Sequence, residues 1–195
     1  MFDYIIVGSG FMGSVLAERI ATQLNKKVLI IEKRNHIGGN AYDCYNEHGI
    51  LIHKYGPHIF HTRSKEVWNY LSQFTEWRLY QHKVLGLIDG KEVPIPFNIN
   101  TLYEVFPQSL AYRLENKLIE NFGYNVKVPI LKLKEVEDED LRFLANYIYE
   151  KVFLNYTVKQ WGVKPEELDP TVTGRVPVYI SKDNRYFQDQ YQGMP

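Results

Sequence analysis

Residues 3–40 read DYIIVGSGFMGSVLAERIATQLNKKVLIIEKRNHIGGN, and this stretch decides the fold. Tyr4-Ile5-Ile6-Val7 is a short, β-branched apolar run, the pattern of a strand buried on both faces of a parallel sheet. Gly8-Ser9-Gly10-Phe11-Met12-Gly13 follows at once and fits G-x-G-x-x-G. Leu16, Ile20 and Leu24 recur four apart and predict one face of a helix. Lys27 to Ile31 predicts a second strand. It ends at Glu32, nineteen residues after Gly13. At that spacing an acid can accept hydrogen bonds from the ribose of a bound dinucleotide.

Each part has a physical task. Gly8 permits the tight turn out of the strand, Gly10 lets backbone amides approach a pyrophosphate, and Gly13 lets the helix lie close on the strand. The helix N-terminus offers unpaired N–H groups and a partial positive charge to phosphate. A glycine turn that only packs is the plain alternative. Strand, helix, second strand and acid all stand in order, which favours dinucleotide binding.

Outward from this stretch, composition sets the bounds. The chain has 195 residues and is 45% hydrophobic, enough for a core in one or two domains. Lys and Arg number 23, as do Asp and Glu, so no overall basic field points to nucleic acid. The lone Cys44 rules out an internal disulfide and suits a reducing, cytoplasmic setting. A strand begins within three residues of the start, so no signal peptide is expected. No apolar run approaches the ~18 residues of a membrane span. Aromatic residues make up 14%, which suits stacking on planar or sugar ligands as well as core packing.

Beyond Glu32, a second glycine pair, Gly38-Gly39, allows backbone to pass close to a ligand again. Ile50 to His53 alternates as a strand, and Gly56-Pro57 ends it in a turn. His58 and His61 then stand three apart. No carboxylate or Cys nearby in sequence completes a ligand set, so no metal is expected. Ser64 is expected to cap a helix with Val67, Leu71 and Phe74 on its inner face. Val84 to Ile95 reads as a β-hairpin turning at Asp89-Gly90, with Pro94 and Pro96 marking its second arm as an edge or its end. Asn100 is expected to cap a helix to Phe106. Ser109 is expected to cap another, with Leu110, Leu114 and Leu118, closed by Gly123. The acidic run from Glu135 to Asp140 reads as a solvated face and helix start. Leu141, Leu144, Ile148 and Val152 define a third helix. In Asn155 to Gly162, Thr157 and Trp161 are four apart and would share a face of a helical turn. Core aromatics are the plain reading there, and a platform for a base or sugar is the functional one.

The pattern E-[KR]-x-x-x-x-G-G after G-x-G-x-x-G resembles the glutathione-reductase-like FAD proteins. The resemblance sharpens over the whole chain: IVGSGxxG, IEKRNHIGGNAY, HKYGPHIFHT, YTxKQWG, RxPV and DNxYFxDxYQGxP occur in that order. Together they are similar to the bacterial UDP-galactopyranose mutases. That resemblance implies an α/β protein with a Rossmann-like, glutathione-reductase-like FAD-binding fold, an inserted helical unit and a small antiparallel sheet. Residues 1–77 would be the N-terminal part of the FAD-binding domain, 78–97 and 168–195 the antiparallel sheet and substrate segments, and 98–167 the helical substrate domain.

The family further implies a flavoenzyme that interconverts UDP-galactopyranose and UDP-galactofuranose without net redox. Reduced FAD would attack the sugar C1 through N5 and displace UDP. Gly8, Gly10, Met12, Gly13, Glu32, Lys33, Gly39, Asn40, His58 and Ile59 match cofactor-side positions. Arg175, His58 and His61 match catalytic ones. Val152, Tyr156, Thr157, Trp161, Arg175 and Tyr186 match substrate positions, with Arg175 and Tyr186 at the diphosphate. Gln81 or His82 falls near the nucleotide. No acid–base pair stands out, and none is needed if the flavin carries the proton. UDP-galactose is the implied partner, nucleic acid is not, and a homo-oligomer is allowed. The family chain is about twice this length, so residues 1–195 read as a fragment, expected to be inactive alone. Two rivals stand beside this reading. One is a redox flavoenzyme of the amine-oxidase or desaturase type, which has no reason to carry YTxKQWG with Arg175. The other is an inactive nucleotide-binding module.

Overall fold

The computed structural model describes residues 1–163, 167–169 and 176–195, and for Asn155, Tyr156 and Gln160 the backbone alone. The chain divides into two compact units. The first comprises Met1–Phe60, Glu66–Arg78 and Gly193–Pro195, the second His61–Lys65 and Leu79–Gln192.

The first unit opens as the glycine motif requires. Strand β1 (Tyr4–Val7), helix α1 (Phe11–Gln23) and strand β2 (Val28–Ile31) follow in order. β1 and β2 pair in parallel, with Tyr4 opposite Val28 and Val7 opposite Ile31. A Cβ on Gly13 would stand 2.0 Å from the Gly8 carbonyl oxygen, so no other residue lets α1 start so close to the turn. Only Ile20 of the expected helix face is buried, beside Ala17, while Leu16 and Leu24 are exposed. Two strands about 4.8 Å apart are narrower than a helix and cannot cover the whole stripe.

Strands β3 (Asp43–Tyr45) and β4 (Leu51–His53) form an antiparallel pair, Asp43 opposite His53. The Asn46 side chain organises their turn by accepting from the His48 and Ile50 amides at 3.0 and 2.9 Å. Next come β5 (Phe60–Thr62), α2 (Lys65–Leu71) and β6 (Arg78–Leu79). The expected inner face of α2 is not realised, because Val67 and Phe74 are exposed. Trp68 instead stacks on Trp77 at 4.3 Å, and Tyr70 donates its hydroxyl to Glu18 of α1 at 2.7 Å.

The second unit begins with the hairpin of β7 (Val84–Ile88) and β8 (Lys91–Ile95). Asp89 and Gly90 both take positive φ, 49° and 80°, as a two-residue I′ turn demands. Helix α3 (Ile99–Val105) is capped by Asn98 and not by Asn100. Asn98 is the extended residue whose side chain accepts from the Thr101 amide, in a reciprocal capping box. Helix α4 (Gln108–Phe122) starts two residues earlier than the Ser109 cap implied, with Pro107 in the cap position, and ends at Gly123, φ 88°. Strand β9 (Val126–Val128) and helices α5 (Ile130–Lys134) and α6 (Glu139–Ile148) follow, α6 capped by Asp138. A π-helical turn over Tyr149–Leu154 leads into α7 (Asn155–Trp161). Strand β10 (Val178–Ile180) pairs antiparallel with β9, and the chain returns to the first unit within β11 (Tyr191–Met194). Leu102, Leu114, Leu133, Leu141, Leu144 and Ile148 are all fully buried in the core of the second unit.

Candidate functional site

In the first unit Glu32 closes the glycine turn. Its Oε2 accepts from the Ser9 amide at 2.8 Å and the Ser9 hydroxyl at 2.7 Å, and its Oε1 accepts from the Arg34 amide at 2.9 Å. These bonds, the Arg34 amide first, hold its carboxyl well below the usual range, at about 2. The ionised carboxylate is only half-buried, so a ribose hydroxyl can still reach it. Sequence spacing singled out this residue for a ribose and missed its bond to the turn.

Gly39 lies directly against the turn as well. A Cβ there would meet the Gly10 Cα at 2.9 Å, and the Gly38 amide donates to the Ser9 carbonyl at 3.0 Å. So Gly10 and the second glycine pair come together as one backbone cradle, and Met12 stands exposed at the start of α1. Lys33 is exposed, and Asn40 accepts from the Arg34 guanidinium at 2.8 Å. Beyond them His36 stacks flat on Tyr42 at 3.9 Å and accepts from the Tyr55 hydroxyl through Nε2 at 2.8 Å. These residues fit a dinucleotide: close backbone for a pyrophosphate, an ionised acceptor for ribose and a planar platform beside it.

His58 and Ile59 are half-buried. The absence of a nearby carboxylate, inferred from sequence, is corrected here, because Asp43 is brought in from β3. Asp43 Oδ1 accepts from His53 Nδ1–H at 2.8 Å and lies 3.4 Å from His58 Nε2. Asp43, His53 and His58 together have the donor set of a divalent-cation site. The His53–Asp43 hydrogen bond already satisfies the pair without an ion.

In the second unit, a different set of residues gathers around Phe187. His61 stacks on it at 3.7 Å, Tyr186 meets it edge-on at 4.9 Å, and His82 lies 5.6 Å from Tyr186. The Tyr186 amide donates to the His82 carbonyl at 2.8 Å. His61 Nδ1 donates to Asp189 Oδ2 at 2.7 Å, and Arg63 Nε donates to the other oxygen, Oδ1, at 3.1 Å. Sequence reasoning found His61, His82 and Tyr186 but not Asp189, which is 128 positions from His61.

The segment carrying Tyr186 is fixed from the helical side. Asn98 Nδ2 donates to Asn184 Oδ1 at 3.0 Å, and Asn100 Nδ2 donates to the same oxygen at 2.8 Å. Asp183 grips Arg185 through two oxygens, at 3.0 and 2.7 Å, which pulls its carboxyl down. The α3 cap thus also anchors the loop that carries Tyr186.

Of the remaining positions, Val152 is half-buried against the helical core. Thr157 is buried and Trp161 exposed, so their four-residue spacing does not give them one environment. Arg175 lies outside the described residues, as does the side chain of Tyr156.

A parallel β-α-β start, closed by an acid at the end of the second strand, defines a Rossmann-like nucleotide-binding fold. Residues 6–74 match the family model for an NAD(P)-binding Rossmann-like domain, and residues 151–195 match that for UDP-galactopyranose mutase. The chain is a homologue of the UDP-galactopyranose mutases. It is 38% identical over 194 residues, 99% of its length, to a probable UDP-galactopyranose mutase of Klebsiella pneumoniae. It is 36% identical over its full length to the UDP-galactopyranose mutase of Mycoplasma pneumoniae, and 36% to a dTDP-fucopyranose mutase of Escherichia coli. The chain spans about half the length of these relatives, 49–51%. A crystal structure of a reduced UDP-galactopyranose mutase shares its fold, with a TM-score of 0.60 at 18% identity over 91% of this chain and 37% of that one. No helix among the described residues is long and apolar enough to cross a membrane.

Proposed function

We propose that this chain forms part of a flavin-dependent isomerase that interconverts UDP-galactopyranose and UDP-galactofuranose in the cytoplasm. The observation that carries the reading is the end-to-end likeness to curated UDP-galactopyranose mutases at 36–38% identity. The cradle at Gly10 and Gly39, with ionised Glu32, supports FAD as the cofactor. Reduced FAD, when bound, supplies the nucleophile for the anomeric carbon. The protein's tasks are to hold the diphosphate with Arg175 and Tyr186, to seat the nucleotide and sugar near Val152, Tyr156, Thr157 and Trp161, and to keep His58 and His61 at the flavin side.

A second reading has its own support, because the Escherichia coli relative acts on a dTDP-sugar at nearly the same identity. The assay therefore offers both UDP-galactofuranose and dTDP-fucofuranose, under dithionite, to the enzyme as its organism makes it, and a separate portion is heated to release any bound chromophore. Flavin release with turnover of the uridine sugar is expected. In the enzyme as its organism makes it, Arg175→Ala lowers that turnover at least ~10²-fold, the scale for one lost charge-stabilising donor. Tight NAD binding with no flavin, or an Arg175→Ala variant as active as the parent, contradicts the assignment. Residues 1–195 by themselves are expected to bind FAD weakly and to lack activity.

A further inference from the structure

We propose that Asp189 and His61 form a proton-handling dyad, with His61 Nε2 as the atom that takes up and returns a proton and Asp189 as its positioning residue. The inference rests on the mutase reading for the reaction it serves, while the dyad itself stands on geometry.

A carboxylate can only accept, so the 2.7 Å contact between His61 Nδ1 and Asp189 Oδ2 puts the ring proton on Nδ1. That leaves Nε2 with its lone pair. Free imidazole side chains favour the opposite tautomer, so the carboxylate selects the form with a basic Nε2. Asp189 is itself fixed. Its second oxygen accepts from Arg63 Nε at 3.1 Å, and the main-chain carbonyl of Asp189 accepts from Gln192 Nε2 at 2.7 Å. The ring cannot swivel easily either, because it lies flat on Phe187 at 3.7 Å and 15°. A nitrogen base, an orienting carboxylate and a guanidinium steadying that carboxylate are the parts from which acid–base sites are built.

Chemistry gives the dyad a task. Opening and reclosing a sugar ring requires a proton to leave one hydroxyl and reach one ring oxygen. Opening breaks the bond from C1 to the ring oxygen, and reclosing forms one from C1 to another hydroxyl oxygen. His61 Nε2 takes the proton of the hydroxyl that closes, and the resulting imidazolium, already paired with Asp189, gives it to the ring oxygen that opens in the next turnover, so protons and electrons balance over the cycle with no co-reactant. The pairing joins Tyr186, assigned to the diphosphate, to a proton carrier across one phenyl ring. This revises the sequence-based expectation that no acid–base pair was needed.

The first test is independent of activity. Long-range ¹H–¹⁵N correlation spectra of the ¹⁵N-labelled protein, with His61→Gln for assignment, report which ring nitrogen carries the proton in the neutral ring. A protonated Nδ1 and a bare Nε2 at His61 are expected, and Asp189→Asn should shift His61 toward the Nε2–H form. A parent ring already in the Nε2–H form overturns the dyad. The second test is kinetic and uses the enzyme as its organism makes it. Asp189→Asn should lower kcat for the uridine sugar at least ~10-fold with KM within ~3-fold and flavin content unchanged, and Asp189→Glu should recover part of that loss. Unchanged kcat in Asp189→Asn, with the tautomer shifted, refutes the proton-handling role. A parent that binds no flavin and turns over neither sugar refutes the mutase reading, and the spectra still decide the tautomer.

Discussion

The two units handle their apolar residues in opposite ways. In the second, Leu114, Leu141, Leu144 and Ile148 are 0% exposed, and helices α3 to α6 close around them. In the first, Ile5 is 64% and Val7 84% exposed, although both lie on strands that read as fully buried, and only Ala17 and Ile20 reach the interior. The same residue types therefore do different physical work. A helix carries its own backbone hydrogen bonds and needs cover on one face. A two-stranded parallel sheet needs cover on both. The second unit is closed by its own residues. In the first, polar contacts hold what packing does not: Glu32 on Ser9, Gly38 on Ser9, and Tyr70 on Glu18. The uncovered apolar surface of the first unit is what a bound dinucleotide or further polypeptide would bury.

Substitutions separate the two regimes. Leu144→Ala should have the largest effect, a loss of about 3 kcal/mol in denaturant unfolding, because it opens a cavity in a fully buried site. A loss under ~1 kcal/mol would mean that the second unit is looser than its burial implies.

The next effect is confined to the first unit and depends on pH. Glu32 is depressed to about 2 from an ordinary value near 4.5, so the folded form holds the ionised group more tightly. Its contribution is fully present above pH ~4.5 and is lost as pH falls through ~2. The Ser9 amide resonance should follow that loss, and Glu32→Gln should abolish its pH dependence while leaving α6 resonances unmoved. A Ser9 amide that does not move between those limits would break the link between the acid and the turn.

The smallest effect is expected at Val7. Val7→Thr should change stability by no more than ~0.5 kcal/mol, since its side chain is already in water. A loss of several times that would show that β1 is covered after all.

Legibility in the sequence follows the same division. The β1-α1-β2 order was readable because the glycine spacing and the acid at 32 are local. The hairpin at Asp89-Gly90 was readable because only a few residue pairs tolerate two positive φ values. The cap of α3 was misplaced by two residues because Asn98 and Asn100 are chemically the same, and only the backbone shows which one is extended. The helix faces at Leu16 and Val67 were misjudged because periodicity says which residues could be buried and not whether anything covers them. At the site, the histidines of GPHIFHT were legible as a motif, but their carboxylates were not. Asp43, bonded to His53 across a strand pair, lies 3.4 Å from His58, and Asp189 reaches His61 from 128 positions away. Such partners carry no local signal. The Arg63–Asp189 contact was equally invisible.

Native-state hydrogen exchange on the purified chain tests the central contrast most directly. Amides of α4 and α6 should exchange slowest, near the limit set by global unfolding, and those of β1 and β2 at least ~10²-fold faster, since local opening there uncovers little buried surface. Equal protection of β1, β2 and α6 would contradict the account, because it would show that the first unit is closed by its own residues.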